Sequence, residues 1–242
     1  MSDTPCPPGA PIAFLDFDNT IIHGDAGPLF GLYLFRWRRH DLAGHFWRRM
    51  RLWARYTPYI TWMGVQAILY KLHARRRSSI IRASYKGLRG LSTSTFYGLM
   101  GDFAVEAIVP RLYPEMVAEI RGHREQGRGV VVITTGMERL VRKVLDEVDP
   151  GIDIIGCRLL ERNGKLTGRV EGPLFGLDKA NIMDAYCRAL GVERASCWAY
   201  SDHWSDKEML EAVGHPVAVN PRGRLTRLAK RRGWNILRPK LG

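Results

Sequence analysis

Acidic and hydroxyl side chains follow predicted strands at several places in this chain. Asp16 and Asp18 come directly after the apolar run at residues 12–15. In open α/β sheets, ligands bind at the edge formed by the carboxyl ends of the strands, so residues that follow different strands can meet there. Further polar groups lie just past other predicted strands or near the start of a predicted helix: Thr134-Thr135-Gly136, Asp202, Asp206 and Lys179. We therefore expect one site built from four parts of the chain.

These residue types together favour phosphoryl transfer through a carboxylate. A carboxylate is a competent nucleophile toward phosphorus and divides one difficult step into two easier ones. Several carboxylates close together favour a hard divalent cation such as Mg²⁺, and a lysine can balance the charge of the transferring group. Asp18, two residues after Asp16, could protonate the leaving oxygen and later activate water.

The elements that must position these residues alternate between strand and helix from residue 114 onward, which predicts a parallel sheet with crossover helices. Asn163-Gly164 predicts a two-residue hairpin turn. Predicted strands occupy 12–15, 129–133, 152–155, 197–200 and 217–219, with hairpin arms at 158–162 and 165–170. Predicted helices occupy 114–126, 138–147, 178–190 and 206–213, and the basic tail 222–238 predicts a solvated terminal helix.

A block at residues 28–104 interrupts this alternation after the first strand. It is rich in Arg, Trp, Tyr and Leu and has few turn signals apart from Pro58 and Gly64, so it predicts several helices. We therefore expect an α/β core made of residues 1–27 and 105–242, with a helical domain, 28–104, inserted into it.

Four of these motifs resemble those of a known family in order and local spacing. Asp16-Phe-Asp-Asn-Thr20, Thr134, Lys179 and Ser201-Asp202-(x)3-Asp206 resemble the four motifs of the haloacid dehalogenase-like (HAD) hydrolase superfamily. The stretches 110–114, 163–168 and 211–220 are similar to the phosphoserine phosphatase-like branch, subfamily IB. The resemblance implies a Rossmann-like parallel-sheet HAD core with an inserted all-helical cap.

The resemblance also implies a role for each motif residue in a phosphatase, since family dehalogenases lack the second Asp. Asp16 would be the nucleophile that forms an aspartyl-phosphate, and Asp18 would be the general acid and base. Thr134 and Lys179 would bind the phosphoryl group of a phosphorylated small-molecule substrate.

Metal and supporting residues follow from the same resemblance. Mg²⁺ would be held by Asp16, the Asp18 carbonyl and Asp202. Thr20, Thr135 and Asp206 would support the site, Asp206 by orienting Lys179 or a metal-bound water. Two positions depart from the family pattern: Ser201 replaces a common Gly, and Asp25 stands where phosphoserine phosphatases carry a Glu that binds the substrate ammonium. By its position, Asp25 would also bind the substrate.

The composition and charge of the chain are also compatible with a second function. The 242 residues carry 37 Lys and Arg against 24 Asp and Glu, and the segment 36–90 holds 14 of the basic residues with one acid, Asp41. A regulatory or binding protein on a HAD scaffold could contact an anionic membrane or nucleic acid through this basic cap. Residues 35–59 loosely fit an amphipathic surface helix, with Phe35, Leu42, Phe46 and Trp53 on the apolar side. The aromatics of the block, which include Trp37, Trp47, Trp53 and Trp62, could equally form the core of the cap.

Other sequence features indicate the cellular location of the protein and the class of partner that it could bind. No recognised nucleic-acid motif accompanies the charge, which disfavours nucleic acid. No run of 18 apolar residues predicts a transmembrane helix, and four cysteines without a CxxC pair are typical of a reducing compartment. We expect a cytoplasmic protein, peripheral at the membrane if the basic cap binds lipid.

Overall fold

A seven-stranded sheet organises the computed structural model, which describes residues 6–41, 85, 86, 88–172 and 176–241. The strand order is β4-β3-β2-β1-β5-β6-β7. Neighbouring strands from β3 to β7 in this order run parallel, which confirms the α/β class with a parallel Rossmann-like sheet. The strands are β1 Ile12–Leu15, β2 Gly129–Met137, β3 Asp153–Arg162, β4 Lys165–Glu171, β5 Trp198–Ser201, β6 His215–Val219 and β7 Asn235–Leu237.

Helices connect the strands, as the alternating pattern predicts. A π-helical turn at Ala104–Ile108 and 3₁₀ turns at Val109–Arg111, Arg194–Ser196 and Trp204–Asp206 add to them. The α-helices are α1 Ala26–Asp41, α2 Thr93–Phe103, α3 Pro114–Glu125, α4 Glu138–Leu145, α5 Gly176–Leu190, α6 Lys207–Glu211 and α7 Gly223–Arg232.

The central strand β1 is buried on both faces, which explains its unbroken apolar sequence. Phe14 packs in a core cluster with Val131 and Ile133 of β2, Met183 of α5 and Ala199 of β5. Burying such side chains supplies most of the favourable free energy of folding. The same packing fixes the position of β1 along the strand direction relative to β2 and β5. It therefore also fixes where the carboxyl end of β1 lies.

The predicted hairpin forms, but its first arm is longer than expected. Asn163 and Gly164 both have positive φ, 51° and 69°, as a type I′ turn requires. The predicted segments 152–155 and 158–162 join into one strand, β3, through Gly156. A Cβ at Gly156 would lie 3.0–3.1 Å from backbone atoms of Glu138 and Gly136, so this glycine permits a close backbone approach and does not break the strand.

The basic tail differs from the predicted terminal helix. Gly233 adopts a left-handed conformation, φ 66°, and ends α7. The chain then adds β7 as an edge strand beside β6. Leu225, Leu228 and Ala229 of α7 are buried, so only the other face of this helix carries the solvated basic residues.

The described contacts divide the chain into two units. One contains residues 1–26, 101–158 and 172–242, and the other contains 27–100 and 159–171. The second unit differs from the expected insertion 28–104 by including the hairpin tip, because Leu166 exchanges backbone hydrogen bonds with Gly90 and Leu91. Residues 42–84, which carry Trp47, Trp53, Trp62, Pro58 and Gly64, lie outside the described residues.

Gly214 offers a first test of this packing. A Cβ at Gly214 would lie 1.9 Å from the carbonyl oxygen of Ala195, and backbone cannot move away cheaply. Gly214→Ala should therefore lower the free energy of unfolding by about 3 kcal/mol. Gly122→Ala is the matched control, because Gly122 lies within α3 with open space around it and should gain about 0.5–1 kcal/mol. Urea unfolding of both variants measures the difference, and equal stabilities would contradict this packing.

A chain of buried and half-buried polar side chains extends from Arg128 to Glu119. Arg128 can only donate, so Nδ1 of His123 accepts its hydrogen bond at 3.2 Å. The proton on Nε2 is then donated to the Tyr200 hydroxyl at 2.8 Å, and this hydroxyl donates to Glu119 Oε2 at 2.9 Å. Burial, reinforced by the charge of Arg128, lowers the pKa of His123 from 6.5 to about 4.

This lowered pKa predicts a loss of stability in acid. Between about pH 6.5 and pH 4 the unfolded chain binds a proton at His123 that the folded chain does not bind, so stability falls as the pH falls. The loss should be on the order of 2 kcal/mol. Urea unfolding across this pH range, compared with His123→Gln, isolates the effect because other titrating groups are common to both proteins. Parallel pH profiles would contradict the prediction.

Candidate active site

The register of three strands brings the predicted motifs to one edge of the sheet. Leu15 is aligned with Val132 of β2 and with Tyr200 of β5. Asp16 therefore follows β1 between Ile133 and Ser201, and its backbone N–H donates to the Tyr200 carbonyl at 2.9 Å. Chain segments far apart in sequence meet here because all three strands run in the same direction.

A lysine between two carboxylates forms the centre of the site. Lys179 of α5 places Nζ 2.6 Å from Asp16 Oδ1 and 2.8 Å from Asp206 Oδ2. All three residues are buried, with relative exposures of 8% or less. An ion pair removed from water in this way is costly unless further hydrogen bonds satisfy its charged groups, and both oxygens of Asp206 receive such bonds.

Two serines that the sequence analysis did not assign provide these bonds. The Ser201 hydroxyl donates to Asp206 Oδ2 at 2.8 Å, and the Ser205 hydroxyl donates to Oδ1 at 3.1 Å. Burial favours the neutral acid, but Lys179 and these hydroxyls outweigh burial and lower the pKa of Asp206. Burial also opposes the charge on Lys179, and the two carboxylates outweigh it and raise the pKa of Lys179. Asp206 is thus a fixed anion that holds Lys179 beside Asp16.

The two oxygens of Asp16 are not equivalent. Oδ1 accepts from the backbone N–H of Phe17 at 2.8 Å and from Lys179. No described residue donates to Oδ2, which leaves this oxygen available for an electrophile or a cation. Burial raises the pKa of Asp16, against the opposing charge of Lys179.

Asp18 has the properties of an acid that can exchange protons near neutral pH. Its Oδ1 accepts from the Ala26 backbone N–H at 2.8 Å. Burial, together with the charges of Asp16 and Asp25 and against that hydrogen bond, raises the pKa of Asp18 to about 7. A carboxyl with this pKa can both donate and accept a proton at physiological pH.

The loop after Asp18 is held by Asn19. This residue has a left-handed backbone, φ 57°, and its side chain accepts from Gly24 N and donates to Asp25 Oδ1 at 2.9 Å. Asp25 is exposed, and its described side-chain hydrogen bond is this one with Asn19, a residue of the same loop. Thr20, expected as a supporting residue, is fully buried, and its hydroxyl makes no hydrogen bond with the described residues.

Among the carboxylates of the site, Asp202 has the fewest hydrogen bonds to balance its negative charge. Burial and the charges of Asp16, Asp206 and Asp25 raise the pKa of Asp202 to about 8. No described residue donates a hydrogen bond to it. Mutually repelling carboxylate oxygens of this kind fit a hard divalent cation. The metal ligands expected from the sequence are two side chains, Asp16 and Asp202, and one backbone carbonyl, that of Asp18. The described residues contain no group of three His, Cys, Asp or Glu side chains arranged around a metal position.

The predicted phosphate-binding hydroxyl lies at an irregularity in β2. The pairing of β2 with β3 shifts between Ile133 and Met137. The Thr134 Oγ1 atom is buried there and accepts from Gly136 N at 2.9 Å, so its own hydrogen remains able to bind a phosphoryl oxygen. Thr135 is half-buried in the same irregular stretch.

The basic segment that motivated the membrane alternative lies almost entirely outside the described residues. Side chains of residues 34–84 lie outside the described residues, including those of the amphipathic segment 35–59. Within the portion that is described, no helix is both long and apolar enough to cross a bilayer.

Comparisons with known proteins agree with this geometry. The profile of haloacid dehalogenase-like hydrolases matches residues 13–211. The chain is 32% identical over 149 residues to an "Inhibition of morphological differentiation protein" of Streptomyces azureus, covering 62% of this chain and 54% of the relative. It is 28% identical over 229 residues to "Phosphoserine phosphatase SerB1" of Mycobacterium tuberculosis, covering 93% of this chain and 69% of the relative.

A solved structure shows the same fold. "Phosphoserine phosphatase in apo form" superimposes with a TM-score of 0.64 at 18% identity, covering 96% of this chain and 94% of that one. The chain spans about half the length of the curated relatives that it matches first. The profile match extends from β1 to the end of α6 and so includes every strand that supplies a motif residue. The chain therefore belongs to the haloacid dehalogenase-like hydrolase family.

Proposed function

We propose that the protein is a Mg²⁺-dependent phosphatase that hydrolyses a phosphate monoester of a small molecule through an aspartyl-phosphate. The observation that supports this most is the buried Asp16–Lys179–Asp206 cluster, which binds one oxygen of Asp16 and leaves the other open. The four cysteines of the described chain form no disulfide, which fits a reducing, cytoplasmic location. No feature of the described residues supports contact with a membrane, so the proposed function does not include it.

In the first step, Asp16 Oδ2 attacks the phosphorus atom. The bond from phosphorus to the ester oxygen breaks, and Asp18, in its protonated form, gives its proton to the departing alkoxide. Lys179 neutralises charge on the transferring group, and the Thr134 hydroxyl donates to one of its oxygens. The products of this step are an alcohol, ionised Asp18 and phosphorylated Asp16.

In the second step, Asp18 accepts a proton from water as the water oxygen attacks phosphorus. The bond from phosphorus to Asp16 breaks, inorganic phosphate leaves, and Asp18 is protonated again for the next cycle. A single carboxyl can serve in both directions because its pKa lies near neutrality.

Asp16, the Asp18 carbonyl and Asp202 are the groups that would hold Mg²⁺. When bound, the cation supplies positive charge that offsets repulsion between the carboxylates and the phosphate dianion. Burial and the charges of the neighbouring carboxylates raise the pKa of Asp202, and positive charge at this position would oppose both effects.

Hydrolysis of p-nitrophenyl phosphate by the purified full chain tests the proposal. We expect turnover with added Mg²⁺ and its loss after EDTA, with recovery when Mg²⁺ is restored. Turnover that persists in EDTA after dialysis would contradict metal dependence. Absence of any turnover with p-nitrophenyl phosphate and a panel of phosphorylated metabolites would contradict the phosphatase.

A further inference from the structure

A cavity of about 410 Å³ opens beside Asp202, within the size range of small-molecule sites. Asn19 and Asp202 line the end nearest the proposed catalytic residues. Another part of the wall comes from the start of α7 and from the segment that follows β7. The proposed mechanism uses nothing in this part of the wall.

That wall carries permanent positive charge. Arg222, Arg238 and Lys240 line the cavity, and all three are exposed. In the described chain, no salt bridge joins any of them to a carboxylate. The acids nearby are Asp202 at the inner end and Glu115, whose Oε1 accepts from the backbone N–H of Lys240 at 3.3 Å. Positive charge therefore exceeds negative charge in the outer part of the cavity.

Other hydrogen-bonding side chains also line the cavity. The Tyr113 hydroxyl is 2.9 Å from His23 Nδ1. Tyr113 also lies close enough to Asn220, Asp202 and Arg222 to interact with each of them. These side chains add hydrogen-bonding groups to the cavity.

The two segments that form the wall are fixed to each other. Asn220, with φ 43°, donates its backbone N–H to the Leu237 carbonyl at 2.8 Å and its side-chain amide to the Pro239 carbonyl at 3.4 Å. Thr226 donates to the Pro221 carbonyl at 2.7 Å. These bonds hold the bases of Arg222 and Arg238 at the same cavity before any ligand arrives, which reduces the entropy lost on binding.

We propose that this cavity is a subsite for a second anionic group, a carboxylate or a phosphate, carried by the leaving group of the substrate. The inference rests on the proposed phosphatase function, which places the transferred phosphoryl group at Asp16. The leaving group of a monoester must extend from the reacting phosphorus into adjoining space, and this cavity adjoins Asp202. Arg presents a planar set of donors that suits both carboxylate and phosphate.

Matched pairs of substrates test the subsite. 3-Phosphoglycerate and glycerol 3-phosphate differ by a carboxylate in place of a hydroxymethyl group, and fructose 1,6-bisphosphate and fructose 6-phosphate differ by one phosphate. We expect kcat/KM to be about tenfold higher for the partner that carries the second anionic group in at least one pair. The pair that shows the preference identifies the anion as carboxylate or phosphate.

The double variant Arg222→Gln/Arg238→Gln should remove about this tenfold preference, mainly through KM for the more anionic partner. Arg224→Gln/Arg231→Gln is the control, since it removes the same charge from exposed positions of α7 that do not line the cavity, and the preference should remain. High ionic strength should also reduce the preference of the unmodified protein. Thermal unfolding of each variant checks that the fold is intact.

The two proposals fail in different ways. Turnover of p-nitrophenyl phosphate together with no preference in either pair, or with a preference that survives the Arg222/Arg238 change, overturns the subsite alone. An equal loss of preference in the control variant also overturns it, because the effect would then come from net charge. No turnover of any phosphate ester overturns the phosphatase, and the subsite with it.

Discussion

Asp16→Asn should reduce the turnover of p-nitrophenyl phosphate by at least about ten-thousandfold. The amide is nearly the same size as the carboxylate but has no negative charge, so it cannot attack phosphorus at a useful rate. Oδ1 of Asp16 already accepts two hydrogen bonds, from Phe17 N and from Lys179, and the substituted amide oxygen can accept the same two. The variant should therefore fold while losing the nucleophile.

Two measurements make the Asp16 result decisive. Circular dichroism and thermal unfolding show whether the variant retains the fold. Asp146→Asn provides a matched control, because Asp146 forms a surface pair with Arg142 and its replacement should leave turnover within about twofold. Mass spectrometry after rapid acid quench should show a phosphorylated chain for the unmodified protein and none for Asp16→Asn. Turnover of the Asp16 variant near the unmodified rate would exclude the proposed nucleophile.

The sequence predicted the convergence of the site because parallel strands impose it. Once β1 is placed between β2 and β5, the residues that follow each strand must lie side by side, whatever their distance along the chain. Asp16, Thr134 and Asp202 were placed by this reasoning. Lys179 was included because it lies near the start of a predicted helix, and the resemblance to a known family gave it its role, because the period of a helix does not indicate which lysine turns toward the sheet.

Features that depend on tertiary contacts were harder to predict. Strand β7 has three residues and follows a basic helix, so no periodicity distinguishes it from a continued helix; the left-handed Gly233 is the local signal. Ser201 was recognised as a departure from the family pattern, but its bond to Asp206 depends on side-chain geometry. The grouping of residues 159–171 with the inserted segment depends on backbone bonds from Leu166, which leave no pattern in a sequence.

Lys179→Met should lower both turnover and stability, because the lysine satisfies two buried carboxylates at once. Methionine fills a similar volume but leaves Asp16 and Asp206 without their cation, and an uncompensated buried charge typically costs about 3–5 kcal/mol. Turnover should fall by at least about a thousandfold, because the transferring phosphoryl group loses the charge that stabilises it. Steady-state kinetics and urea unfolding measure the two effects.

The pH dependence of the Lys179→Met variant separates this account from a simple packing defect. Without Lys179, burial should raise the pKa of Asp206 above its unfolded value, whereas in the unmodified protein Lys179 lowers it. The variant should thus recover stability relative to the unmodified protein as the pH falls from about 8 to about 5, because its buried acids then take up protons. Adding Asp206→Asn removes one of the unpaired charges and should restore about 1–2 kcal/mol without restoring turnover. A stability deficit that is the same at both pH values, and is unchanged in the double variant, would show that the ion cluster does not act through its charges.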